Sequence, residues 1–96
     1  MDHKQQALPA LTPRSVENGL RLLNQGHYAE AIPLLQRAVE LHPDSWKYSL
    51  ALVEALLDSN YNFTALRFLR KVKSRFDGLP EYRYALALAF YLCYQY

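Results

Sequence analysis

Small and large apolar residues recur along this chain at a spacing of 34. Ala31 returns as Ala65, Leu35 as Leu69, Ala38 as Val72, and Leu22 as Leu56 and again as Phe90. A period of that length is the mark of one supersecondary unit used repeatedly, because a single unit cannot bury its apolar face without a neighbour. The chain is thereby confined to a stack in which each unit leans on the next.

Within each period the apolar residues fall at helical spacing. Val16, Leu20, Leu22 and Leu23 place a first helix from about Pro13 to Gln25, with Thr12 as cap, Pro13 in the first position and Gly26 as the left-handed stop. Ala31, Ile32, Leu34, Leu35, Ala38, Val39 and Leu41 form the face of a second helix, which starts at Tyr28 and ends at His42, Pro43 and Asp44. Pro33 is assigned to the first turn of that helix, where amides have no intrahelical partner. A third helix is expected over Ser45–Ser59, a fourth from Phe63 to Phe76 with Asn62 as cap, and a fifth from Pro80 onward. Short turns make successive helices antiparallel. The first dozen residues, containing Pro9, lack a sustained apolar period and are expected to form a flexible lead.

The residues in these positions resemble the tetratricopeptide repeat family, whose unit is a helix, a turn and a helix in 34 residues. In 12–45, Gly19, Leu22, Gly26, Tyr28, Ala31, Leu35, Ala38 and Pro43 occupy the slots where that pattern wants small, large, turn, aromatic, small, large, small and proline. The second unit, 46–79, keeps Leu52, Leu56, Ala65, Leu69 and Val72. It departs at both turns, with Asn60 at the position of Gly26 and Asp77 at that of Pro43. Asparagine tolerates the left-handed conformation, so the first change is mild; the second, beside Gly78 and Pro80, predicts a loosened or shifted turn. A half unit, 80–96, keeps Leu86, Ala87 and Phe90 in register. The resemblance implies an all-α fold, a right-handed superhelical solenoid of five helices in antiparallel pairs over 13–96, preceded by a flexible lead over 1–12.

The resemblance also implies a concave groove lined by the first helices of the units, in which a peptide or partner helix is held. By register its residues are Pro13, Val16, Leu20, Leu23 and Asn24 from the first unit, Lys47, Leu50, Glu54, Leu57 and Asp58 from the second, and Glu81, Tyr84, Leu88, Tyr91 and Leu92 from the third. Some members of the family clamp a C-terminal carboxylate with lysine, asparagine and arginine. Here those slots hold Val16, Leu20, Ala51, Glu81 and Ala85, none of which pairs with a carboxylate, so an apolar or weakly basic peptide is the expected occupant. The same side chains would equally pack the superhelix with nothing bound.

Five of eight tyrosines crowd the last helix, at Tyr82, Tyr84, Tyr91, Tyr94 and Tyr96, which makes that helix apolar all round. A terminal solenoid helix should show water a polar face, so something is expected to cover it: further repeats of a longer array, or a second copy pairing through Leu86, Ala89, Phe90, Cys93 and Tyr94. Protein interaction is the leading reading of the chain. Self-association and a regulatory segment of a larger enzyme are the alternatives.

Other function classes find little support. A formal charge of +2 is too small for a general nucleic-acid or membrane attraction. The one basic run, Arg67, Arg70, Lys71, Lys73 and Arg75, lacks an aromatic platform and reads as a solvated outer face, with docking of an acidic partner or a phosphate backbone as the sharper alternative. The lone Cys93 forms no intrachain disulfide, and the N-terminus has no signal-like apolar core, so a cytoplasmic protein is expected. His3, His27 and His42 are not at metal-ligand spacing. Asn62, Phe63 and Thr64 match a glycosylation acceptor, though a capping role suits Asn62 better. No phosphate loop, nucleophile elbow or carboxylate pair is present, so the chain reads as a non-enzyme with no cofactor and no metal.

Overall fold

Two left-handed residues set 34 positions apart fix the turns inside the repeats. The structure, a computed structural model, describes residues 13–95, so the expected lead and the Thr12 cap lie outside the described residues. Gly26 has φ 84° and Asn60 has φ 67°. At the first, the Gly26 amide donates to the Leu23 carbonyl (3.0 Å) and the His27 amide to Leu22 (2.8 Å); at the second, Asn60 donates to Leu57 (3.0 Å) and Tyr61 to Leu56 (2.8 Å). Both turns therefore close helix ends with the same paired 6→1 and 5→2 bonds. Asparagine supports this geometry because its short polar side chain lowers the cost of positive φ.

The elements follow these stops. Helix α1 spans Pro13–Asn24, α2 Tyr28–Leu41, α3 Trp46–Asp58, α4 Asn62–Lys71, α5 Lys73–Phe76 and α6 Pro80–Cys93. No strand occurs among the described residues. Helix α1 packs on α2, α2 on α3 and α6 on α4, while α3 touches α1, α4 and α6. This is the nearest-neighbour pattern of a stack, with α3 at its centre.

Three local details differ from expectation. The fourth helix is not continuous: it breaks at Val72 (φ −98°, ψ 14°), and the short α5 follows. Tightened bonding there, from the Arg75 amide to the Val72 carbonyl at 3.0 Å, lets Phe76 turn into the core with its ring 5.2 Å from that of Trp46. Asn62 is the first residue of α4 and not its cap; Tyr61 holds that place without a side-chain capping bond. Pro33 stands in the second turn of α2, so it forgoes the bond to the Ala29 carbonyl; both residues are exposed, which leaves that carbonyl open to water.

The expected loosening at Asp77 does not occur. The Ser45 amide donates to the His42 carbonyl (3.1 Å) and, 34 residues later, Leu79 donates to Phe76 (2.9 Å). Ser45 and Leu79 have nearly the same backbone angles, φ −88°, ψ 112° and φ −90°, ψ 128°. Asp77 has φ −57°, a value that the proline ring would impose, so the turn forms without the ring.

Packing repeats with the turns. Ala31, Leu35 and Ala38 are fully buried, as are their counterparts Ala65 and Leu69, and Val72 is nearly so. At Gly19 the helices α1 and α2 come close enough that an added Cβ would lie 3.1 Å from Leu34 Cβ and 3.2 Å from Leu35 Cδ2. The last helix is tied in by Tyr82, whose buried hydroxyl donates to the Leu69 carbonyl at 2.7 Å while its ring stands edge-on to Trp46. A buried bond of this kind contributes about 1 kcal/mol net, and leaving the carbonyl unpaired costs more. The Tyr82 phenol is pushed above its ordinary pKa, first by burial and second by Asp77.

Replacing Gly19 tests the close approach. Gly19→Val should lower stability by about 1–3 kcal/mol through overpacking against Leu34 and Leu35, read as a drop in the urea midpoint. An unchanged midpoint would show that the helices have room to separate.

Candidate peptide-binding groove

The first helices of consecutive units, α3 and α6, lie side by side without filling the space between them. A cleft of ≈ 500 Å³ opens there, lined by Leu50, Val53, Glu54 and Leu57 of α3 and by Pro80, Glu81, Tyr84, Ala85 and Leu88 of α6. The α3 residues recur at three- and four-residue spacing, so one face of that helix supplies a whole wall. Val53 and Ala85 form the floor and are buried; Tyr84 stands up from the opposite wall with 72% of its surface exposed.

Charge in the cleft is one-sided. Glu54 and Glu81 are its only charged lining residues, and Asp58 lies one turn beyond Glu54 on α3. Burial pushes the Glu54 carboxyl above its ordinary pKa, and the like charge of Asp58 adds to the shift. The groove thus presents apolar walls and a carboxylate whose charge has no cation to balance it among the lining residues. Such a site favours an apolar segment carrying a positive charge and disfavours a carboxylate.

The structure sorts the residues assigned by register. Leu50, Glu54, Leu57, Tyr84 and Leu88 line one cleft. Val16 is only 5% exposed and belongs to the core, so it has no surface to offer a ligand. Leu20 and Leu23 pack against the core as half-buried residues, while Asn24 is exposed on α1 away from this cleft. Lys47 and Asp58 are exposed beyond the lining, Lys47 with its Nζ 5.9 Å from the Tyr48 ring centre. Tyr91 is exposed on α6 outside the cleft. Register reasoning missed Val53 and Pro80. Val53, 1% exposed, forms part of the floor beneath α6, and Pro80, which starts that helix, closes one end of the lining.

The surface assigned to self-association is also redrawn. Ala89 is fully buried, so it cannot form part of an exterior surface. Leu86, Phe90 and Cys93 are half-buried against the core, and the Arg70 guanidinium covers the Phe90 ring at 5.0 Å. Of the five residues, Tyr94 alone is exposed; it stacks with Phe90 and meets Phe63 edge-on. The face of α6 that does remain bare runs through Tyr84, Ala87, Leu88 and Tyr91. The basic run is likewise differentiated, since Arg70 stacks on Phe90 and Arg75 approaches Asp44 at 3.9 Å.

Among the described residues no three His, Cys, Asp or Glu side chains converge as metal ligands, and no helix is long and apolar enough to cross a membrane. A family model described as a tetratricopeptide repeat matches residues 22–89, well over half of the chain. No curated protein and no solved structure matches it.

The raised Glu54 pKa fixes a sign for stability. A carboxyl whose folded pKa lies above its unfolded value favours the folded state when protonated, and that contribution is lost as pH rises through the folded pKa. Glu54→Gln should therefore raise the melting temperature slightly at neutral pH, and the gain should vanish below the ordinary carboxylate range. Thermal unfolding at two pH values reads this directly; a gain that persists in acid would assign the effect to something other than ionisation.

Proposed function

The chain belongs to the tetratricopeptide repeat family, whose repeats generally mediate protein–protein interaction, and we propose that it is a non-catalytic interaction module holding a basic, apolar segment of a partner protein between α3 and α6. The observation that carries this reading is the cleft itself: apolar walls around Glu54, with no cation among its lining residues. A partner lysine or arginine placed beside Glu54 would restore the interaction that burial and Asp58 deny its carboxylate. Leucine-sized side chains would rest on Leu50, Leu57 and Leu88, and Tyr84 supplies a large, stiff contact surface with a polar tip.

The same features argue against a carboxylate-terminated tail. Glu54 and Glu81 would face it across the groove, and Ala51 and Ala85, at slots where the family places polar clamps, are buried.

Labelled peptides of alternating leucine and arginine, compared with leucine–glutamate twins, test the reading by fluorescence anisotropy. The basic peptide should bind more tightly, and Tyr84→Ala and Leu88→Ala should each weaken it by about 1–2 kcal/mol, or roughly five- to thirtyfold. Its affinity should fall as pH is lowered through the raised Glu54 pKa, and Glu54→Gln should flatten that dependence. Equal binding of the glutamate twin, or no response to Tyr84→Ala, would contradict the proposal.

A further inference from the structure

The step of 34 maps contacts that are made onto contacts that are open. Gly19 of α1 meets Leu34 and Leu35 of α2, and its counterpart Val53 is 1% exposed. The next counterpart, Ala87 on α6, is exposed. Ala87 therefore marks the face of α6 onto which a second helix seats in the other units. A second correspondence lies on the neighbouring helices. The notch lined by Ala29, Ile32 and Pro33 of α2 is bounded by Tyr61 and Thr64 at the start of α4. Shifted by 34, it becomes a notch lined by Phe63, Leu66, Arg67 and Arg70 of α4 and bounded by Tyr94 just past α6, which no helix among the described residues crosses.

Together Ala87 and this notch outline the footprint of one more helix, lying antiparallel to α6 and beside α4. The two flanking helices differ in charge. Where α2 offers Pro33 and Gln36, α4 offers Arg67 and Arg70, and neither α4 nor α5 contains an acidic residue. Arg70 is exposed and lies over the Phe90 ring, its guanidinium carbon 5.0 Å from the ring centre, which keeps a positive charge at the edge of the footprint.

We propose that this footprint takes an amphipathic helix of another polypeptide, apolar where it meets Ala87 and the exposed Phe63 and Tyr94, and acidic on the flank that meets Arg67 and Arg70. A second copy of this chain fits less well. Its bare helix, α6, carries Glu81 and Arg83 with no net charge, and brings no acidic flank to the two arginines. The site is separate from the groove between α3 and α6 and requires the opposite charge in its occupant.

The probe is an amphipathic peptide of about 18 residues, long enough to span the footprint, with a leucine–alanine seam and glutamates along one flank. Its twin carries lysines at the same positions. With the full chain, the acidic peptide should bind at least about tenfold more tightly than the twin, weakening as salt rises. Ala87→Glu and Arg67→Glu should each reduce that affinity about tenfold or more, and Arg67→Glu should shift preference toward the lysine twin. Both side chains are exposed, so circular dichroism should show the variants folded. Leu50→Ala, in the groove, should leave the acidic peptide's affinity unchanged. Equal affinity for the twins overturns the proposal, as does binding that responds to Leu50→Ala and not to Ala87→Glu. Sedimentation showing a dimer that Ala87→Glu dissociates would give the face to a second copy and overturn it as well.

Discussion

Everything in this molecule hangs on how closely two helices can approach where a small residue faces a leucine. Gly19 against Leu34 and Leu35 sets that distance in the first pair, and fully buried Ala31, Ala38 and Ala65 keep it through the stack. Small side chains on one helix let large ones on the other interdigitate at crystal-like density. Because the contact repeats every 34 residues, so do the turn hydrogen bonds, and the first helices of the units fall side by side with a groove between them. The groove is a by-product of the spacing that buries the core.

Once the helices are placed, chemistry comes from the residues that the core does not use. On α3 one face is committed to Ala51, Leu52, Ala55 and Leu56 in the core, and the adjacent face delivers Leu50, Glu54 and Leu57 to the cleft. Partial desolvation of Glu54, with Asp58 one turn away and no cation among the lining residues, holds its carboxyl above the ordinary pKa, and the proposed basic partner would offset that. On the other side of α6, Arg67 and Arg70 sit beside an open helix seat. Two surfaces of opposite charge thus flank the same terminal helix, glutamates on one side and arginines on the other.

Much of this was legible in the sequence, for physical reasons that differ by residue. The helix starts and stops could be read because Gly26 and Asn60 must be left-handed and Pro80 suits a first helical position. The groove wall on α3 could be read because helical spacing carries Leu50, Glu54 and Leu57 to one face. Val16 could not be sorted from Leu20 by register alone, since whether a residue at the groove's edge is covered depends on the neighbouring helix. Ala89 and Phe90 were legible as apolar but not as covered: Ala89 is enclosed by core residues, and Phe90 is shielded by an arginine 20 positions earlier. The break at Val72 gave no signal either, as no glycine or proline marks it. The turn at Asp77 shows the converse, since hydrogen bonds in register hold the geometry that proline holds in the first unit.

The central claim is that each helix is held by its neighbours and that α6 is the one with an open side. Native-state hydrogen exchange measures this residue by residue. The amides of α3, the central helix, should exchange only through opening that costs close to the full unfolding free energy, while those in the second half of α6 open more cheaply. Uniform protection across α3 and α6 would contradict the account, because it would mean that the last helix is as fully supported as the central one.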